Sequence, residues 1–213
     1  MLLSMPSSAS DTRERILHRG LDLLSEVGLS GVTLGLLAQE VDMSKSGLFA
    51  HFRSKDDVQI ALLCHMADVA NTKVVLPAMQ VSPGLPRLKA LVKNWFGWTT
   101  RAGLRGGCPV AAAMFELDDA KGEVRAKAVE MEAHWRGLLT QFVKESVERG
   151  HLRHDLDVDQ FVWELCGIYL SHHTSSRFLR DLRSDARARK AFEALVHHAR
   201  PMPKKTNRFL RGS

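Results

Sequence analysis

Along almost the whole chain, apolar side chains recur three and four positions apart, and no segment alternates over a strand's length. The pattern predicts helices throughout. Residues 11–27 form a first helix with Ile16, Gly20, Leu23, Leu24 and Val27 on one face and Gly28 as its stop. Thr33 caps a second, in which Leu34, Leu37, Ala38 and Val41 follow at helical spacing; Asp42-Met43 interrupts it. Ser44 caps a third, with Leu48 and Phe52 on one side. Ser54 opens a fourth that is expected to run to about Leu76, just before Pro77. SPGLP at 82–86 is a turn, a helix follows to about Arg101, and AGLRGG at 102–107 reads as the most open loop. Pro109 at a first helical position begins a short helix ending near Leu117. A long helix spans about 121–149 and stops at Gly150, Asp157 opens another, and a last one covers roughly 185–199. The fold class is all-α: a three-helix unit at 11–56 and a larger helical unit at 57–200, flanked by a flexible arm at 1–10 and a flexible basic tail at 201–213.

Residues 30–56, SGVTLGLLAQEVDMSKSGLFAHFRSKD, carry the functional signal. Leu48 and Phe52, four apart, staple the third helix to its partner and leave Lys45, Ser46, Gly47 and His51 on the other sides. A short helix with small, polar and basic residues at its N-terminal end suits a DNA major groove, because the small residues let its backbone approach closely. The pair of helices reads as a helix-turn-helix. Lys45, Ser46 and His51 are expected nearest the bases or adjacent phosphates, and Thr33, Ser44 and Lys55 on the sugar-phosphate backbone.

SKSGLFAHFRSKDDV resembles the recognition-helix signature of the tetracycline-repressor (TetR) family of bacterial transcription regulators, and ILHRGLDLLSEVGLSGVTLGLLAQEV resembles that family's first two helices. The motif likeness covers about residues 12–64, and GGCPVAAAMFELDD is similar to a ligand-domain segment of one subgroup. Asp42 stands at a turn where the family usually has Gly, and Phe49 where it often has Tyr. The resemblance implies a DNA-contacting set of Thr33, Ser44, Lys45, Ser46, Gly47, Phe49, His51 and Lys55. It further implies a homodimer on a palindromic double-stranded operator and release by a small-molecule ligand.

Composition bounds the rest. At 213 residues and 45% hydrophobic, the chain has material for one full core and a small satellite. No eighteen-residue apolar run predicts a membrane span, and the N-terminal residues do not read as a secretory signal. Three widely separated cysteines, Cys64, Cys108 and Cys166, suit a reducing cytosol, so a cytoplasmic protein is expected. The net charge of +6 misleads, since residues 1–56 carry six Lys/Arg against seven Asp/Glu while residues 177–213 carry eleven against three. What the DNA-binding unit has is local: Lys45, Arg53 and Lys55, with no acid between Met43 and Ser54. Nucleophile elbow, phosphate loop, HExxH and paired CxxC are all missing, so neither an enzyme nor a cofactor is expected.

Two expectations concern the larger unit. The faces Phe161, Leu165, Ile168, His172 and Ala188, Phe192, Leu195, Val196 predict a four-helix dimer interface, or else closure of the monomer core. Trp95, Trp98, Met114, Phe115, Trp135, Trp163 and Tyr169 predict a cavity for an apolar or aromatic molecule, or else ordinary core. The fourth helix is the expected lever between that cavity and the DNA-binding unit. An alternative regulator without an inducer would be partner-controlled, or sense redox state through Cys108 beside Arg105, where the other reading is a plain helix-cap thiol. His172-His173, His197-His198 and the acids Glu116, Asp118, Asp119 and Glu123 lack metal-ligand spacing and read as ordinary side chains.

Overall fold

The structure, a computed structural model, describes residues 9–201, with side chains from residue 11. The expected tail lies outside these residues except for Pro201, and so does the arm except for Ala9 and Ser10, which already belong to the first helix. Among the described residues all regular structure is helical: α1 (Ala9–Gly31), α2 (Leu34–Glu40), α3 (Lys45–Phe49), α4 (Lys55–Ala70), α5 (Leu76–Met79), α6 (Leu85–Trp95), α7 (Trp98–Arg101), α8 (Pro109–Glu116), α9 (Glu123–Glu148), α10 (Val158–Arg177) and α11 (Ser184–His198). A contiguous core runs from Ile16 to Ala199. α1 packs on α2, α4 and α8; α9 packs on α4, α6, α8 and α10; α10 pairs with α11.

Four sequence-predicted caps close as expected. The side chains of Thr33, Ser44, Ser54 and Asp157 accept the N–H groups of Leu36, Gly47, Asp57 and Gln160, each satisfying a donor that a helix start leaves orphaned. Asp57 in turn accepts the Arg53 N–H at 2.8 Å, tying the residue before the cap to the first turn of α4. Asp42 turns the chain with φ 53, the left-handed conformation that short polar side chains tolerate best after glycine.

Three expected elements differ. The fourth helix does not end before Pro77: a π turn at Asn71–Val75, in which Leu76 N–H reaches back to Asn71, leads straight into α5. Pro77 then sits in the first turn of α5, just after the π turn. The resulting Lys55–Met79 helix is, by length and composition, apolar enough to cross a membrane. Here Val58, Leu62, Leu63, Met66, Val74 and Ala78 are core residues. Next, the helix expected up to Arg101 breaks at Phe96, extended at ψ 121, and Gly97, left-handed at φ 71. Trp95, Phe96 and Trp98 are all buried on the two sides of this break. Val27, placed with the buried face of α1, is exposed and lies against Gly31, because Gly28 (φ 71) bends the chain immediately after it.

The expected dimer faces are also corrected. Phe161, Leu165, His172, Ala188, Phe192 and Val196 are buried within the single chain, and Ile168 and Leu195 pack against the same core. They hold α10 to α11, with His172 Nε2 2.7 Å from Asp185 Oδ1. The apolar groups left uncovered in this region are Trp163, Phe178, Leu179 and Leu182.

Candidate DNA-reading face and ligand cavity

α3 stands on α2 through Leu48 and Phe52, both buried, with the Arg13 guanidinium 5.1 Å above the Phe52 ring. Its opposite side is open. Thr33, Ser44, Lys45, Ser46, Phe49 and Lys55 are exposed, and Gly47 and His51 partly so, which puts all eight expected DNA-contacting residues at the surface of one unit. Ser44 Oγ is 2.9 Å from Ser46 Oγ as well as capping α3, so the two hydroxyls are fixed relative to the helix. The Lys45 side chain runs across α2: a β-carbon at Gly35 would meet its Cε at 3.2 Å. Gly35, in the first turn of α2, thereby makes room for the lysine stem.

The larger unit encloses a cavity of about 620 Å³. Met66 of α4 and Asn71, Val74 and Val75 of the π turn that continues it contribute one wall. Trp95 and Trp98 come from α6 and α7, and Val110, Ala111 and Met114 from α8. Lys127, Met131, Glu132, Trp135 and Arg136 come from α9, and Cys166, Tyr169 and Leu170 from α10. Trp95 and Tyr169 stack at 4.1 Å, Trp135 meets Trp95 edge-on at 4.9 Å, and Trp98 Nε1 donates to the Tyr169 hydroxyl at 3.2 Å.

Of the seven expected lining residues, Trp95, Trp98, Met114, Trp135 and Tyr169 come together in this cavity. Phe115 and Trp163 do not line it. Both are exposed, because Phe115 follows Met114 by one residue and so points about 100° away on α8, and Trp163 sits on the outer side of α10. Sequence reasoning missed that all three cysteines line the same cavity. Burial pushes the Cys166 thiol up to about 11 and holds the Tyr169 phenol well above its ordinary range, so both are protonated at neutral pH. Cys108 is buried, and Arg105, its expected activator, is committed elsewhere.

That commitment is the main structural surprise. The expected open loop at 102–107 is open at Gly103, but its Arg105–Gly107 end is seated on α1. Arg105 Nε lies 2.6 Å from Asp22 Oδ2, its Nη1 3.5 Å from Glu26, and its Nη2 3.1 Å from Glu40 on α2. Gly106 N–H donates to Ser25 Oγ and Gly107 N–H to the Ser25 carbonyl, each at 2.9 Å. At the other end of α8, Glu116 accepts the N–H groups of Leu29 and Ser30 at 3.2 and 2.8 Å, capping the turn after Gly28. A side chain at Gly28 would overlap that carboxylate. Glu116 is therefore not a free surface acid. Among the described residues no His/Cys/Asp/Glu group is arranged to hold a metal.

Residues 16–62 match the model of bacterial regulatory proteins of the tetR family, and residues 84–192 match the tetracyclin repressor-like C-terminal domain. No curated protein matches the chain. Among solved structures, a TetR-family transcriptional regulator from Cytophaga hutchinsonii superposes with TM-score 0.81 at 18% identity, over 94% of this chain and 100% of that one. A TetR regulator from Chloroflexus aurantiacus gives 0.78 at 20%, over 89% and 94%. AibR, solved in complex with isovaleryl coenzyme A and operator DNA, gives 0.66 at 18%, over 90% and 100%.

Proposed function

Since this chain belongs to the tetR family of bacterial transcription regulators, whose members bind DNA through a helix-turn-helix, we propose that it is a repressor-type switch: a homodimer on a pseudo-palindromic operator, released when an apolar or aromatic molecule fills the 620 Å³ cavity. One observation carries the switch. α8 forms a wall of the cavity and is fastened to the DNA-binding unit at both ends, by the Arg105–Gly107 clamp on α1 and α2 and by the Glu116 cap on residues 29–30. A ligand that displaces Val110, Ala111 or Met114 therefore moves a rod whose two ends hold the reading head. It releases DNA only if it binds one arrangement better than the other.

Lys45, Ser46, His51, Gly47 and Phe49 would face the groove, while Thr33, Ser44 and Lys55 would hold phosphates. A single unit of this size buries too little DNA for tight specific binding, which favours a dimer with half-sites about 34–36 Å apart. Its contact stripe would be Trp163, Gly167, Leu170, Thr174 and Phe178, which share one side of α10; of these only Leu170 is partly buried. Selecting binding duplexes from a random pool, then measuring anisotropy with and without ligand, tests the proposal. Recovery of palindromes whose binding ligands abolish is the expected result; selection of no duplex would end it.

A further inference from the structure

The two ion pairs that border the cavity lie at its solvent side, with Glu130 mostly exposed. Lys127 Nζ is 3.0 Å from Glu130, whose hydrogen bond pushes the ammonium above its ordinary range, and Arg136 Nε is 2.7 Å from Glu132. Burial also pushes the Glu132 carboxyl upward, against the pull of Arg136, so the site already disfavours charge. Asp68 and His134 are exposed to solvent at the rim. A charged ligand would have to compete with these partly exposed pairs and with water at the cavity's open side. A charge carried deeper, among the Trp95, Trp135 and Tyr169 rings, would be desolvated without a partner. The walls offer instead the stacked Trp95–Tyr169 pair and the Trp135 edge. The Trp135 Nε1–H has no acceptor although it is buried, and a buried donor without a partner is costly. A ring rotation toward a ligand oxygen would recover that bond.

Resting on the inducer reading above, we infer that the ligand is an uncharged planar aromatic carrying a carbonyl or hydroxyl oxygen, held by Trp135, and that coenzyme A thioesters, with their phosphates, are excluded. Four probes of matched shape separate the possibilities by calorimetry on the full chain: 2-acetylnaphthalene, 2-ethylnaphthalene, 2-naphthoate and 2-naphthyltrimethylammonium. The ketone should bind at least tenfold more tightly than either ion and about two- to tenfold more tightly than the ethyl compound, the range of one hydrogen bond. Trp135→Phe, which keeps a ring, should erase the preference for ketone over ethyl while leaving the ethyl affinity within about twofold. An ion that binds as well as the ketone, saturable isovaleryl coenzyme A binding, an unchanged preference in Trp135→Phe, or no binding of any probe overturns the inference. A charged probe that binds and releases operator would sink it while the inducer reading stands. A ketone that binds as expected yet leaves operator affinity unchanged would sink that reading instead.

Discussion

Gly106→Ala is the sharpest probe of how the two units are joined. Gly106 lies in ordinary backbone space, so it is not needed for its conformational freedom. It is needed for proximity: an added β-carbon would fall inside the Ser25 carbonyl and against the Glu26 amide, neither of which can swing away as a side-chain tip can. The 103–108 segment must lift, which breaks the Gly106–Ser25 Oγ and Gly107–Ser25 O hydrogen bonds. At about 1 kcal/mol each, with the desolvated donors adding roughly as much again, the loss is about 2–4 kcal/mol. For a chain of this length each kcal/mol moves the midpoint by roughly 2–4 °C, so Tm should fall by about 5–15 °C. Gly137→Ala is the matched control. Its β-carbon would meet nothing within 4 Å in the exposed middle of α9, and it should stabilise by about 0.5–1 kcal/mol. Calorimetric melts of both variants give the comparison. If Gly106→Ala melted within about 1 °C of the parent protein, the loop would not be seated on α1 and the clamp would have to be abandoned.

Lys45→Ala should weaken operator binding by on the order of 1–3 kcal/mol if it reads a guanine, whereas Lys55→Ala should weaken all duplexes alike and flatten the salt slope by about one unit, both measured by anisotropy titrations over a salt series. Leu165→Glu and Phe192→Glu should unfold the domain even at nanomolar concentration, because both sites are buried within one chain, while Trp163→Glu with Phe178→Glu should keep the melt and shift sedimentation to monomer. Burial first, then neighbouring cationic groups, lower the His65 and His173 pKa values in the fold, so the neutral forms are the stabilising ones. Stability should therefore be complete above the ordinary value of 6.5 and fall as the pH drops through and below it; His173→Gln should flatten the slope of Tm between pH 7.5 and 5.5.

The parts of the fold legible in the sequence were those with local causes. Thr33, Ser44, Ser54 and Asp157 each cap an N–H three residues on, and a cap followed by an apolar period is visible in a single line of text. The surface location of Lys45 and Ser46 follows from the same spacing that buries Leu48 and Phe52. The aromatic-rich middle pointed to a cavity and to five of its members, but not to which neighbours face away: Phe115 and Met114 are adjacent in sequence, and only the helix phase sends one outward and the other in. The break at Gly97 was hidden because Trp95 and Trp98 are three apart, a spacing that a continuous helix explains equally well.

What stayed illegible was the joint between the units. Its partners are Arg105 with Asp22 and Glu116 with Leu29, pairs 83 and 87 residues apart, and each partner looks ordinary alone. Gly106-Gly107 reads as loop and Glu116 as a surface acid until α1 is laid against them. Yet these are the groups that fasten both ends of α8 to residues 22–40. α4 touches the cavity and leads into the reading head through Ser54, so it was the natural lever on chain order alone. α8 has the stronger geometric claim, since it is a short rod with a cavity wall in the middle and a headpiece contact at each end. The two ends also differ in kind. The Arg105 end is an ion-pair cluster, half open to solvent and sensitive to salt. The Glu116 end satisfies backbone donors that would otherwise be orphaned. A ligand pushing on α8 would loosen the screened, adaptable end first and pivot about the capped one, which turns a displacement in the cavity into a rotation of the helix-turn-helix.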